Sequence, residues 1–410
     1  MTNQYKTLKY ACYSVNVSMS VVANLPPLLF ITFRDLYNVS YTFLGLLILL
    51  NYLTQLAVDL VFSFFSHRFN IPKTVKIMPL LSFFGLLVYS VYPMMFPSTA
   101  YIGLVVGTII FSASAGLGEV LISPIIATIP SKEPEREMSK LHSVYAWGVI
   151  PVVLITSLYL LVFDSSNWNY IVFVYMLVPA AAFFLFLKTD IPSMEAPEKL
   201  SGVIEFLKNK TVWLFVLAIF LGGAAECTMA QWASGYLEKA LSIPKIWGDV
   251  FGVALFALML AVGRSLYASY GKNINKVLLM CFVGATICYF TIALVDNPVV
   301  GLIACALTGL STSMLWPGNL VVATTRFPQG GVALFALMAA GGDLGASIVP
   351  QFIGMITDYS INNPALIKIS SQLSLLPEQF GMKLGLLIAA LFPLSGILLC
   401  KFLFEDKKKK

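Results

Sequence analysis

The fold class this sequence predicts is an all-α membrane protein, twelve transmembrane helices in two six-helix bundles, on three observations. The chain is 58% hydrophobic and only 11% charged, whereas charged residues make up roughly a quarter of a soluble domain. Apolar runs of the length needed to cross a hydrocarbon core, about 20 residues for about 30 Å, recur along all 410 residues. Stretches such as Leu44 to Leu50 and Phe251 to Leu260 are apolar on every face, which fits helices and not the alternating strands of a closed barrel. Lipid cannot satisfy open backbone groups, so helices follow from the solvent as well.

The first predicted span, 9–33, holds Asn16 and Asn24. Asn24 stands beside Pro26 and Pro27, and prolines free backbone carbonyls inside a membrane, so it is a candidate for hydrogen bonding to a solute. The second span, 41–66, carries Asn51, Gln55 and Asp59 four residues apart on one face. That stripe must face protein or a cavity, and its place near one end of the span suits helix packing or a gate. Span three, 75–95, is apolar apart from Lys76 at its start and scattered hydroxyls. Span four, 100–128, contains Glu119 behind Gly116 and Gly118. Small residues permit close packing there, and an intramembrane carboxyl group is a default candidate for binding and releasing a proton.

Spans five and six, 140–163 and 169–187, contribute Trp147. Span seven, 212–237, has Glu226 near its middle, followed by Gln231 and Trp232. Span eight, 248–269, includes Arg264 near its cytoplasmic end, positioned to snorkel, pair with an acid or serve a gate. Span nine is 276–295; span ten, 299–324, offers Trp316 and Asn319. Span eleven, 331–357, offers Asp343 after two glycines, with Gln351 farther on; span twelve is 382–404. Indole faces pack on the CH face of a pyranose, and amides bond its hydroxyls. Asn24, Trp147, Glu226, Gln231, Trp232, Trp316, Asn319 and Asp343 are therefore the expected solute-binding set, with Glu119 as the proton-coupling residue. Each has a structural alternative, as core packing or as half of an ion pair. Trp168, Trp213 and Trp247 fall near predicted interfaces, where an aromatic belt is expected.

Of the 26 Lys and Arg residues, 20 fall on the side of the two termini, five on the other, and Arg264 within a span. Positive-inside bias then places both termini in the cytoplasm of a cell membrane protein, and the closing Lys407 to Lys410 run fits that side. The expected organisation is an N-terminal bundle at 1–190, a cytoplasmic linker at 191–211 and a C-terminal bundle at 212–410. An internal repeat supports two halves: Gly118 to Pro124 and Ser311 to Pro317 lie 193 residues apart, and His142 to Gly148 and Phe335 to Gly341 share that offset.

Six cysteines stand singly in apolar segments and two histidines, His67 and His142, are too few for an imidazole metal site. No nucleophile with an adjacent base, metal set or phosphate loop occurs, so neither an enzyme nor a cofactor is expected, and no basic patch interleaved with aromatics points to nucleic acid. A monomer is the expected state.

The spacing of Glu119 and Pro124, the series Phe220, Ala224, Glu226 and Trp232, the segment Gly309, Ser313 and Trp316-Pro317, and Gly341-Gly342 with Pro350, Gly354 and Asp358 together resemble the major facilitator superfamily, and within it the fucose-galactose-glucose proton symporters. Two departures stand out: Ser123 replaces the family's Asn before the proline, and His67 stands where an acid usually opens the loop between spans two and three. The resemblance implies proton-driven uptake of a small polar solute, a sugar first, with the proton role carried onto Glu119 alone. A drug or metabolite exporter of the same fold, a uniporter or channel, and a receptor without transport are the rival readings.

Overall fold

The computed structural model describes residues 3–65, 68–130, 134–191, 208–270, 273–327 and 331–405. Ser66 and His67, the linker from 192 to 207 and the lysine tail lie outside them. Among the described residues nine helices are long and apolar enough to cross a membrane, and a tenth span is a pair of helices bent by 49°. The shorter apolar helix Trp147–Phe163 and the 32-residue helix Gly331–Asn362 occupy the positions of predicted spans five and eleven. The chain forms two compact units, residues 1–38 with 50–198 and residues 39–49 with 199–410.

In the first unit the bent span is α1 (Asn3–Leu28) followed by α2 (Phe30–Tyr37). It breaks where Pro26 and Pro27 remove two N–H donors, and Leu29 N bonds back to the carbonyl of Pro26 at 3.0 Å. The next helices are α3 (Tyr41–Phe65), α4 (Ile71–Met95), α5 (Ala100–Thr128), α6 (Pro134–Phe163), α7 (Trp168–Tyr175) and α8 (Leu177–Leu187). Leu8, Phe62, Met78, Leu121, Leu141 and Phe186 pack into one apolar core. At the other end Phe33, Tyr89, Phe111 and Trp168 meet edge to face, with Phe33 and Trp168 centroids 4.9 Å apart. Trp168 is thus fully buried, its indole N–H donating to Tyr37 at 3.2 Å, rather than lying in an interfacial belt; Trp213 and Trp247 are exposed as a belt requires.

The second unit contains the first turns of α3, α9 (Lys210–Lys239), α10 (Lys245–Gly248), the π turn Asp249–Ala254, α11 (Leu255–Tyr270), α12 (Ile274–Leu294), α13 (Pro298–Thr312), α14 (Leu315–Arg326), α15 (Gly331–Asn362), α16 (Pro364–Gln372), α17 (Pro377–Ala389) and α18 (Leu391–Glu405). Lys245 fixes the mouth of span eight by reaching Asp249 at 3.1 Å and Ser234 at 2.8 Å. Glycines let the backbones touch: a Cβ on Gly345 would stand 2.1 Å from the Phe220 carbonyl oxygen, and one on Gly309 2.1 Å from that of Phe256.

Equivalent crossings recur at the repeat offset. Gly116 of α5 meets Gln55 of α3, and Gly309, 193 residues later, meets Phe256 of α11. Gly148 of α6 meets Ser20 of α1, and Gly341 of α15 meets Val216 of α9. The copies differ at their prolines, because α5 runs unbroken through position 124 whereas span ten breaks between α13 and α14.

Gly345→Ala should therefore force α9 and α15 apart and cost about 1–3 kcal/mol, seen as a lower unfolding temperature in detergent. Gly248→Ala, whose new methyl would meet only side chains, Leu237 at 3.2 Å and Ile243 at 3.9 Å, should stay within about 0.5 kcal/mol of the parent.

Candidate functional site

Polar groups gather at mid-helix depth in each unit, and the two sets differ in chemistry. In the first unit the stripe on α3 meets α5 turn by turn. Asn51 Oδ1 accepts from Ser112 Oγ at 2.5 Å and from Gln55 Nε2 at 3.2 Å. One turn on, Gln55 lies against Gly116, where a Cβ would be 3.1 Å from Gln55 Cα. A further turn brings Asp59 alongside Glu119, within electrostatic reach.

Asp59 is 9% exposed, and its buried Oδ1 has no hydrogen-bond partner among the described residues. Glu119, by contrast, is exposed although it sits well inside a 29-residue helix. Placing a charged side chain against lipid at that depth costs about 2.5–3.5 kcal/mol even on permissive scales, so the exposed carboxyl group faces a wetted space. Two carboxyl groups side by side repel when both are ionised.

In the second unit the organising feature is a proline. Pro317 has no N–H, so the carbonyl of Ser313, four residues earlier, is left without its helical donor. Arg264 supplies one: its Nε donates to Ser313 O at 3.1 Å, and its Nη2 donates to Glu226 Oε1 at 3.0 Å. Gly263 makes this reach possible, since α11 there presses against Ser313, whose Oγ would lie 2.2 Å from an added Cβ. Arg264 thus ties spans seven, eight and ten together at mid-depth, rather than snorkelling to the cytoplasmic interface. Glu226 Oε2 is buried and unpartnered among the described residues.

The other expected solute-binding residues divide by exposure. Trp147 is 62% exposed on α6. Trp232 is 2% exposed, its indole N–H donating to Pro350 O at 2.8 Å, which leaves no open ring face. Asn319 is buried with Nδ2 on Leu315 O at 2.6 Å, and Gln231 and Asp343 are buried as well. Trp316 is half-buried, its ring laid over Gly223 and Gly342. Asn24 is half-buried, bonding Ser20 O at 2.9 Å, while Asn16 and Ser20 join α1 to the carbonyls of Leu141 and Tyr145. The side chains of His142, Ser123 and Pro124 lie outside the described residues. Among those described, no three His, Cys, Asp or Glu side chains converge as metal ligands.

One cluster joins residues that the sequence offered only separately. Asp358 of α15 caps the start of α3, Oδ1 accepting from Tyr41 N at 3.1 Å and Oδ2 from Thr42 N at 2.6 Å. Gln351 bonds Thr42 O at 3.2 Å, Gly354 lets α15 approach the Tyr41 carbonyl, and the Tyr41 hydroxyl donates to Glu378. Its signals were the spacing 351, 354, 358 on one helix face and the place of Gly354 and Asp358 in the family-like motif of span eleven.

The sequence pattern of the Major Facilitator Superfamily matches residues 11–350. No protein of curated function matches this sequence. Among solved structures, a D-xylose–proton symporter superposes with a TM-score of 0.75 at 13% identity, covering 97% of this chain and 99% of that one. A bacterial homologue of the human lysosomal transporter Spinster, inward-facing and occupied, gives 0.74 at 13% identity, with 99% and 98% covered. The E. coli fucose:proton symporter gives 0.61 at 15% identity, with 98% and 99% covered.

Asp358→Ala should cost about 1 kcal/mol, the usual worth of a helix N-cap, and Asp358→Asn less, because its amide oxygen still accepts one N–H. Thermal unfolding in detergent measures both; equal losses would mean that the cap is not what Asp358 contributes.

Proposed function

The chain belongs to the Major Facilitator Superfamily, and on that premise we propose that it is a secondary transporter moving a small polar solute, a monosaccharide or related sugar first, by alternating access coupled to protons. Glu119 carries this reading: it is a carboxyl group exposed at membrane depth beside the buried Asp59. A proton on Glu119 removes the repulsion between the two, so its protonation state changes the free energy of the α3–α5 crossing. If protonation raises affinity for the solute, the solute raises affinity for the proton by the same factor.

The sugar preference draws support from the D-xylose–proton and fucose:proton symporters that share this fold. The same proposal includes bundles at 1–190 and 212–410 joined by a cytoplasmic linker, both termini in the cytoplasm of a cell membrane protein, and a monomeric transporter. Glu226 and Trp147 remain its solute-facing candidates. The enclosed Trp232, Gln231, Asn319 and Asp343 enter as supports of the helix crossings, and Asn51, Gln55, Asp59 and Arg264 as packing and gate elements.

The test is thermal stabilisation of the purified protein by hexoses, pentoses, deoxysugars, nucleosides and amphiphilic cations. A ligand at a hundredfold excess over its Kd should stabilise the folded state by about 2.7 kcal/mol. One sugar class should do so, and Glu119→Gln should keep binding while losing its pH dependence and proton-driven uptake into proteoliposomes. Stabilisation by amphiphilic cations alone would replace the sugar reading with that of an exporter. Unchanged proton coupling in Glu119→Gln would remove Glu119 from its role.

A further inference from the structure

The ion pair in the second unit is built unlike a structural crosslink. A pair that serves only to hold helices together is best enclosed, with every donor and acceptor satisfied, since desolvated and unsatisfied charge is costly. Here the Arg264 side chain is 37% exposed and Glu226 15%. Glu226 is engaged through Oε1 alone, with Oε2 buried and unpartnered among the described residues. A guanidinium has five N–H donors, of which one on Nε and one on Nη2 are used. The end of the fork, Nη1 with the second N–H of Nη2, has no protein partner among the described residues.

Depth makes this exposure informative. Glu226 lies near the middle of the 30 residues of α9, and Ser313 lies at the junction of α13 and α14, halfway along span ten. The guanidinium that touches both is therefore at mid-membrane depth, where an exposed cation belongs in a water-filled cavity and not in lipid. Ser313 O holds it through Nε, and the fork end is not used by that bond. Two parallel donors in one plane match a carboxylate, which they bind bidentately.

We propose that Arg264 is the binding group for the carboxylate of an anionic sugar, a uronate or other sugar acid, and that Glu226 is an internal carboxylate displaced when it binds. This rests on the transporter reading above and names the substrate class. Glu226 holds Arg264 by one oxygen, and the solute would hold it by two. Two ionised carboxylates on one guanidinium in this largely enclosed site repel, so the weaker hold gives way. Once displaced, Glu226 loses its counter-charge while it stays largely enclosed, so it takes a proton from the water of the cavity. One proton enters with one carboxylate, the charge of the site is unchanged, and Glu119 remains free to bind the driving proton.

Among the described residues Glu226 is the carboxyl group bonded to Arg264. Toward the middle of the packed helices the other titratable side chains are Cys227 of α9, Tyr267 of α11, Cys281, Cys288 and Tyr289 of α12, Cys305 of α13 and Asp343 of α15, while Lys210, Tyr236, Glu238, Lys239, Tyr270, Lys276, Arg326, Asp358 and Tyr359 lie toward the helix ends. Tyr289 donates to Ala225 O at 2.7 Å, Asp343 is buried, and Arg264 bonds Ser313 and Glu226. Thiols and phenols are neutral at physiological pH.

The experiment is calorimetric titration of the full-length protein with D-glucuronate and D-galacturonate, against D-glucose and D-galactose, in buffers of different ionisation enthalpy. It is run in the Glu119→Gln background so that only the second unit reports. A uronate should bind with uptake of close to one proton, and the neutral hexose should bind at least about tenfold more weakly. Glu226→Gln keeps an oxygen for Arg264 and should bind the uronate without proton uptake. Arg264→Lys, confirmed folded by its thermal transition, should lose about tenfold or more in uronate affinity and leave the hexose unchanged.

Equal binding of hexose and uronate, no binding of either uronate, or a Glu226→Gln variant that still takes up the proton would overturn the proposal. Proton-driven flux of a neutral hexose without uronate binding would keep the transporter and remove the anion site. Uronate binding without proton-driven uptake by the parent protein in proteoliposomes would do the reverse.

Discussion

Inside a bilayer a polar group without a partner has no water to fall back on, and the geometry of the second unit can be followed from one such group. Pro317 leaves the Ser313 carbonyl open in the middle of span ten. The nearest donor is Arg264, brought within 3.1 Å because Gly263 allows α11 to lie against Ser313. A cation at that depth needs a counter-charge, and Glu226 on α9 provides it at 3.0 Å. A missing backbone hydrogen in one helix thus fixes the relative placement of three. Removing Arg264 would leave a carbonyl and a carboxylate unanswered together, which explains why the two partners cannot be understood as an isolated surface pair.

The first unit meets the same constraint differently. Its prolines at 26 and 27 sit where α1 gives way to α2, and the freed groups are dealt with by a bend. Its intramembrane acids, Asp59 and Glu119, lie within electrostatic reach of each other at the α3–α5 crossing, while the corresponding crossing in the second unit, α11 with α13, lies next to a cation. The glycines at 116 and 309 preserve the backbone contact in both copies. Close backbone packing is therefore shared by the repeat, and charge is what distinguishes its halves: an acid pair suited to holding a proton on one side, an acid and a guanidinium on the other.

Fold and site were legible to different degrees for physical reasons. Span number and length follow from the bilayer, so hydropathy located the helices, and the 193-residue offset located real crossings at Gly148 and Gly341. The break in span ten could be suspected from Pro317, but its absence at the equivalent point of α5 could not, because a proline within a helix bends it only as neighbours allow. Tryptophans misled most. Trp168 and Trp232 each satisfy an indole N–H inside the protein, with Tyr37 and Pro350, and nothing in their sequence neighbourhoods distinguishes them from Trp147, which is open. The Asp358 cap joins residues 316 positions apart along the chain, a distance over which no periodicity carries information.

Polarity at membrane depth is therefore a sound way to find residues with a purpose and a poor way to say which purpose. Asn319, Asp343 and Gln231 are as polar and as deep as Glu119 and Arg264, yet they are enclosed, and Asn319 turns its amide back on its own helix at Leu315. A group that stays exposed at a depth where lipid would penalise it must border water, and only water-bordering groups can exchange a proton or meet a solute. Exposure at depth, rather than depth, separates Glu119 and Arg264 from the rest. For Arg264 the sequence held a further clue, a proline in the partner span whose orphaned carbonyl a guanidinium can answer while keeping its outer edge open.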